Sequence, residues 1–356
     1  MTLDPLNIVG NALGDYEIVA FLSAGAFGFV YEALVTGADT SVALKILSPN
    51  AAWQQLREFD NEADLLLKMT GARAVVDIFD MGDQVINVVA GGIAQFTFRL
   101  RYHVLELAEG SLDELLTDLQ SLDWPSRLGL LRDVILGVHQ MHQRNIVHRD
   151  LKAANCLLFL HGNGLAVKLS DLGRSRDLND RPGVGPEEYA FGRGDPSFAP
   201  PEMLFGAALE SATCHRCADL YGIGSVFFEL AVGQGITAVA LFPHSAKVTA
   251  YHSLPADQRR AQYQANLGEI RSWYESAFDL FDSALPKAIR QQGGRLLRQL
   301  CDPDPQKRLA KVALGKRAVR PGELCWLLHR ADILRISLNN DIRQKQRLRS
   351  RKEKVI

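Results

Sequence analysis

The apolar pattern of this chain shifts from mainly strand-like to mainly helical near residues 106–110, and that shift narrows the folds open to it. Before it, YEIVAFL from Tyr16, FGFVYEAL from Phe27 and SVALKIL from Ser41 alternate in character and are rich in β-branched and aromatic residues. Small and turn-forming residues separate the three runs, which predicts an antiparallel meander. One helix interrupts the strands: Leu56, Phe59, Ala63 and Leu66 share a face over residues 53–69, and Gly71 follows as a stop. Strands resume at VVDIFDM and FTFRLRYHVLEL, with DQVINVVAGGIAQ between them as a loose, long hairpin. After Gly110 the pattern turns helical, in SLDELLTDLQSL and then over residues 125–143. Two short strands, CLLFL and LAVKLS around an HGNG turn, interrupt it. The order predicts an α+β, bilobal chain. A small β-rich N-lobe with one main helix spans 16–105, a hinge 106–110, and a larger helical C-lobe 111–330. An N-terminal extension (1–15) and a basic C-terminal tail (331–356) flank them.

A chain of 356 residues that is 47% apolar has the means to bury cores of that size. Its 40 basic and 41 acidic side chains nearly cancel, which excludes a global attraction to nucleic acid or membrane surfaces. The opening MTLDPLNIVGNALGDY has neither the basic cluster nor the apolar core of a leader, so a cytoplasmic location is expected. From Leu220 to Phe242 the chain is almost wholly apolar, yet Glu229 and Gln234 lie inside it and Gly233 and Gly235 punctuate it. A buried core helix followed by a turn is predicted there, and no transmembrane segment. The five cysteines are odd in number and scattered, which argues against a disulfide framework. Cys214 and Cys217 flank His215 and Arg216, but no second ligand pair follows at zinc-site spacing, so they read as unpaired thiols near a helix start.

Several residues carry chemistry. Between the first two strands, Leu22-Ser23-Ala24-Gly25-Ala26-Phe27-Gly28-Phe29-Val30 forms a glycine-bearing loop, where missing Cβ atoms let backbone amides approach phosphate oxygens. In isolation the same glycines read as a hairpin turn. Val42-Ala43-Leu44-Lys45 sets a lysine inside a strand, which is costly unless an anion meets it. Glu62, on the apolar face of the following helix, is the expected partner, an arrangement that holds an ammonium against nucleotide phosphates; taken by themselves the two residues also read as exposed charges. His148-Arg149-Asp150-Leu151-Lys152-Ala153-Ala154-Asn155 lies between a helix and a hairpin. Its aspartate can meet an incoming hydroxyl while its asparagine offers an amide oxygen to a metal. Ser170-Asp171-Leu172-Gly173 ends the hairpin and supplies a second metal-binding group, Asp171.

Together these elements resemble the signature set of the eukaryotic-type protein kinases, Ser/Thr kinase-like, over roughly residues 16–326. Pro200-Pro201-Glu202, Asp219 and Arg308 match later markers of the same family. The resemblance implies an ATP- and Mg2+-dependent protein serine/threonine kinase that acts on protein substrates and on itself. Asp150 and Lys152 are then catalytic together with Lys45 and Glu62. Leu22, Gly25, Gly28, Val30, Ala43, Lys45, Glu106, Ala108 and Leu157 hold the nucleotide, Leu105 is the gatekeeper, and Asn155 and Asp171 hold the metal.

Four positions depart from the pattern. Ser23 replaces the first loop glycine, Leu172 the Phe of DFG, Pro200 the Ala of APE, and Asp195 the threonine expected near the catalytic aspartate. Asp195 is expected to salt-bridge Lys152 and to repel Asp150. No threonine lies between Asp171 and Glu202, whose hydroxyls are Ser175, Tyr189 and Ser197. Glu187 and Glu188 are expected to supply a standing negative charge in place of an activating phosphate. The last sixteen residues carry seven basic and two acidic groups. They read as a solvated helix end, with a substrate-like Arg347-Leu348-Arg349-Ser350 segment or contact with an anionic partner as the alternatives. Two other classes of function compete: an ATP-binding pseudokinase scaffold, and a small-molecule phosphotransferase on the same lobes. Intact Lys45, Glu62, Asp150, Asn155 and Asp171 speak against the first, and Glu202 with Arg308 against the second. The oligomeric state is not readable from the chain.

Overall fold

The computed structural model describes residues 4–25, 28–90, 94–162, 164–180, 195–309 and 322–353. The chain forms two compact units, Met1–Glu109 with Ser170–Ser175, and Gly110–Leu169 with Arg176–Ile356. The first is built on the strands β1 (Ala12–Leu13), β2 (Tyr16–Ala24), β3 (Gly28–Val35), β4 (Ser41–Leu47), β5 (Ile78–Ala90) and β6 (Ala94–Leu105). They pair in the order β1-β2-β3-β4-β6-β5. Helix α1 (Trp53–Met69) occupies the predicted interval, and Gly71 beyond it takes a φ of 78°, a conformation that costs glycine little. Residues 4–13 pack into this unit: Ile8 and Leu13 are fully buried, and Asp4 accepts the Tyr31 hydroxyl and the Ile8 amide.

The stretch read as a loose hairpin is a regular ladder, paired from Asp83↔Arg101 through Val89↔Gln95 to Ala90↔Ala94. Cross-strand partners account for it. Arg99 Nε meets Asp83 Oδ1 at 2.8 Å and the Thr97 hydroxyl meets Asn87 at 2.7 Å, contacts that local composition does not display.

The second unit contains β7 (Gly110–Ser111), α2 (Leu112–Leu116), α3 (Trp124–Gln143), β8 (Ile146–Val147), β9 (Cys156–His161), β10 (Gly164–Leu169) and β11 (Arg176–Asp177). Helices follow: α4 (Pro201–Leu204), α5 (Ala212–Val232), α6 (Ile236–Leu241), α7 (Ser245–His252), α8 (Ala256–Ala265) and α9 (Leu267–Trp273). The last are α10 (Glu275–Ala284), α11 (Lys287–Leu300), α12 (Pro305–Arg308) and α13 (Cys325–Glu353). Helix α3 starts where Asp123 accepts the Ser126 amide, with Pro125 in its first turn. Helix α5 starts where Ser211 accepts the Cys214 amide and stops at left-handed Gly233. Between those caps it is buried along almost its whole length and forms the axis of the core, with Phe227, Phe228 and Phe281 packed ring against ring. The apolar 220–242 stretch is thus a core helix, a glycine turn and α6. Among the described residues no single helix is long and apolar enough to cross a membrane. Cys214 and Cys217 are buried on the first turns of α5, and burial pushes the Cys217 thiol up to about 12.

Candidate active site

In the first unit, β4 alternates so that Val42, Leu44 and Ile46 enter the sheet core while Lys45 lies on the opposite face with Ala43. Its ammonium meets both carboxylate oxygens of Glu62 (2.8 and 2.7 Å) and Oδ1 of Asp171 (3.1 Å). Burial would lower the Lys45 pKa, but the charges of Asp171 and Glu62 outweigh it and hold the group above its ordinary value. Glu62 is only 2% exposed, because it falls on the buried face of α1 with Phe59, Ala63 and Leu66.

Asp171 adopts a left-handed backbone (φ 57°), and Leu172, in the Phe position of the motif, is fully buried. The following turn is tied to α1: Asn61 Nδ2 donates to the carbonyls of Gly173 (2.9 Å) and Ser175 (3.0 Å). A Cβ on Gly173 would stand 3.1 Å from the Glu58 carbonyl, so this glycine permits the close approach. Sequence reading missed His103. It lies opposite Lys45 in the β4–β6 register, stacks on Phe59 at 3.7 Å, and sets Nδ1 3.7 Å from Glu62. The only signal for it was a histidine next to Val104 and Leu105 at the end of β6.

The two loop glycines differ in purpose. Gly25 donates its amide to the Gly28 carbonyl and has open space where a Cβ would stand. A Cβ on Gly28 would collide with the Ile46 carbonyl at 1.9 Å, so Gly28 lets β3 lie against β4. Ala26 and Phe27 lie outside the described residues. In the same unit Ala43 pairs with Leu105, Val30 pairs with Lys45, and the Glu106 amide donates to the Asp77 carbonyl. Leu22 is exposed, and Glu106 and Ala108 are half-buried.

In the second unit the segment after β8 carries Asp150, Lys152 and Asn155. Arg149 has a φ of 70°, strained for a residue with a Cβ and held because buried Asp219 accepts the amides of His148 (2.9 Å) and Arg149 (2.7 Å). His142 Nε2 lies 2.8 Å from the same carboxylate. Burial would raise the Asp219 pKa, but these bonds, led by the one to His142, keep it below the usual carboxylate value. Asn155 donates its side-chain amide to the Asp150 carbonyl (2.7 Å) and lies 3.4 Å from Asp150 Oδ2. Lys152 Nζ reaches Asp195 Oδ2 at 4.0 Å, the expected salt bridge at its outer limit. Asp195 also accepts the Ser197 amide, and with Asp150, Phe198, Pro200, Met203 and Gly222 it lines a cavity beside the 148–155 segment.

Leu157 lies on β9 in this unit, paired with Ser111 and Lys168. Glu202 and Arg308 form a two-armed buried pair (2.7 Å each), with the guanidinium over the Tyr221 ring. Glu229, which sequence reading used only to argue against a membrane span, accepts the Ala153 amide at 3.2 Å. Burial raises its pKa to about 8. Glu187, Glu188 and Tyr189 lie outside the described residues.

The family model for the protein kinase domain matches residues 16–317. Among curated proteins, the chain is 29% identical over 62% of its length to serine/threonine-protein kinase PknK of Mycobacterium bovis, covering 18% of that protein. It is 27% identical over 66% of its length to a probable serine/threonine-protein kinase PknB of Bifidobacterium longum, covering 33%. With human cyclin-dependent kinase-like 5 it shares 25% identity over 72% of its length, covering 24%. The chain therefore spans a third or less of each of these relatives.

Proposed function

This chain belongs to the protein kinase family, and from that premise we propose that it transfers the γ-phosphoryl group of ATP to Ser or Thr hydroxyls of protein substrates, itself included. The observation that carries this reading is the buried ammonium of Lys45, held by Glu62 and Asp171. A lysine fixed between two carboxylates is oriented before any nucleotide arrives, and phosphoryl transfer depends chiefly on such positioning and electrostatics.

In this reading Lys45 meets the α- and β-phosphates, and Val30, Ala43 and Leu157 contact the adenine, which the backbone of Glu106 and Ala108 recognises. Asp150 orients the acceptor hydroxyl and receives its proton, and Lys152 balances the charge of the migrating group. Mg2+ fits the donor set, since Asp171 and the Asn155 amide oxygen are hard oxygen ligands; when bound it would neutralise phosphate charge. Asp195 keeps Lys152 oriented where relatives of the Ser/Thr type carry a threonine, and Lys152 itself favours Ser/Thr over Tyr acceptors.

The test is a radiolabelled-ATP assay of the purified chain, alone and with a generic basic protein, followed by phosphosite mapping. Asp150→Asn is expected to lower turnover by roughly a hundredfold or more while nucleotide affinity stays near the parental value. Parental turnover by that variant overturns the assignment of Asp150.

A further inference from the structure

The far half of α13 carries positive charge along two opposite sides. Among the described residues Leu338 is the last buried one of the helix, and from Arg343 to Ser350 every residue is exposed. At about 1.5 Å per residue the helix runs roughly 22 Å past Leu338 to Glu353. Residues 343–352 include six arginines and lysines and no acidic residue, in a chain whose net charge is −1, so the rest of the molecule is acidic. At about 100° per residue, Arg343 and Arg347 stand within about 40° of each other, and so do Lys345 and Arg349. The two pairs lie on roughly opposite sides of the helix axis. Asp341 takes Lys345 at 2.7 Å, a surface ion pair of a kind that contributes little.

This pattern fits few partners. Ile342 and Leu348, the apolar residues of 341–350, are about 120° apart around the axis and form no stripe. A helix lying on a membrane needs an apolar stripe, and a coiled-coil partner needs a repeating apolar seam. Like charges four residues apart also oppose the free helix, so the segment gains from a polyanion that reaches both sides at once. A helix is about 10–12 Å across, and the major groove of B-form DNA is about 12 Å wide with a phosphate strand along each edge. The major groove of A-form RNA is too narrow to admit it.

We propose that residues 343–350 are a docking surface for double-stranded DNA. The helix lies in the major groove, with Arg343 and Arg347 on the phosphates of one strand and Lys345 and Arg349 on those of the other. Contacts to phosphate position a protein without reading sequence, so little base preference is expected. The inference does not depend on the phosphotransfer reading. It adds a macromolecular partner, recognised by charge and groove shape on an element that carries none of the residues assigned to catalysis.

The experiment follows the fluorescence anisotropy of a labelled DNA duplex of roughly 20 base pairs with the full chain, over salt from about 50 to about 200 mM. Four phosphate contacts correspond to a slope of log K against log salt of about −3.6, so affinity is expected to fall roughly a hundredfold or more across that range. Two double variants each strip one side: Arg343→Gln with Arg347→Gln, and Lys345→Gln with Arg349→Gln. Each is expected to bind more weakly, and its loss of affinity across the same range to be about tenfold smaller. All four residues are exposed, so melting temperatures are expected to stay at the wild-type value. A chain ending at Asn340 is expected not to hold the duplex. Duplex RNA of the same length, and vesicles of phosphatidylcholine with phosphatidylserine, are expected to bind more weakly than the DNA. Absence of binding at the lowest salt, undiminished binding by the shortened chain, or dependence on one side only each overturns the proposal. Equal or tighter binding to the vesicles or to duplex RNA overturns it in favour of that other anion.

Discussion

Glu229 shows how one buried side chain couples the core to the chemistry. It is 4% exposed on α5, and its Oε2 takes the amide of Ala153, three residues beyond Asp150. Burial raises its pKa from 4.5 to about 8, assisted by Asp113 and Asp195 and opposed by the Ala153 bond and Lys152. The folded chain therefore binds this proton more tightly than the unfolded chain. The stability it contributes is fully present below the unfolded pKa and is lost as pH rises from there through about 8. Glu229→Gln keeps the acceptor and removes the titration. Measured by urea midpoints, its stability relative to wild type is expected to improve from pH 5 to pH 8, by at most about 1.4 kcal/mol per pH unit. A constant difference across that range would show that Glu229 does not titrate there. His103 and Glu229 share a history: each was an ordinary polar letter in the sequence, and each gained meaning from a partner tens of residues away.

Among the elements, α13 divides most sharply along its length. Leu327, Ala331, Leu334 and Leu338 are buried and Arg132 pairs with Asp332, whereas residues 343–350 are exposed. The exposed half carries Arg343, Arg347 and Arg349, and among the described residues Lys345 there pairs with Asp341. Surface residues without packing contribute little to folding. A chain ending at Asn340 is expected to unfold within about 0.5 kcal/mol of the full chain and to lose any salt-sensitive retention on an anionic matrix. A large loss of stability on truncation would contradict the solvated-helix reading. The strands and helices with strong periodicity, β2 to β4, α1, α3 and α5, stood out in the sequence because each has one consistent face or is apolar all round. The β5–β6 ladder did not, because its order comes from pairing between strands.

For the molecule as a whole, nucleotide binding should appear as added stability. A ligand at about a hundred times its Kd adds about 2.7 kcal/mol to folding. With Mg2+ and a non-hydrolysable ATP analogue, the melting temperature of the wild type is expected to rise. Asp171→Asn is expected to abolish the Mg2+-dependent part of that rise, because Asp171 is the carboxylate assigned to the metal. An undiminished shift in the variant would remove Asp171 from that role. Family and α+β class were legible in the chain, since motif order and spacing carry them, and so was the pairing of Lys45 with Glu62.

Short-range chemistry is written in the letters: which segments alternate, which turns need glycine, and which acidic, amide and ammonium groups occur at what separation. Long-range company is not. That Asp219 restrains the strained Arg149 backbone, that His103 stacks beside the Lys45–Glu62 pair, and that Glu210 faces Arg176 all follow from folding residues far apart in sequence into contact. Burial and electrostatics depend on distance in space, and only the folded chain sets those distances.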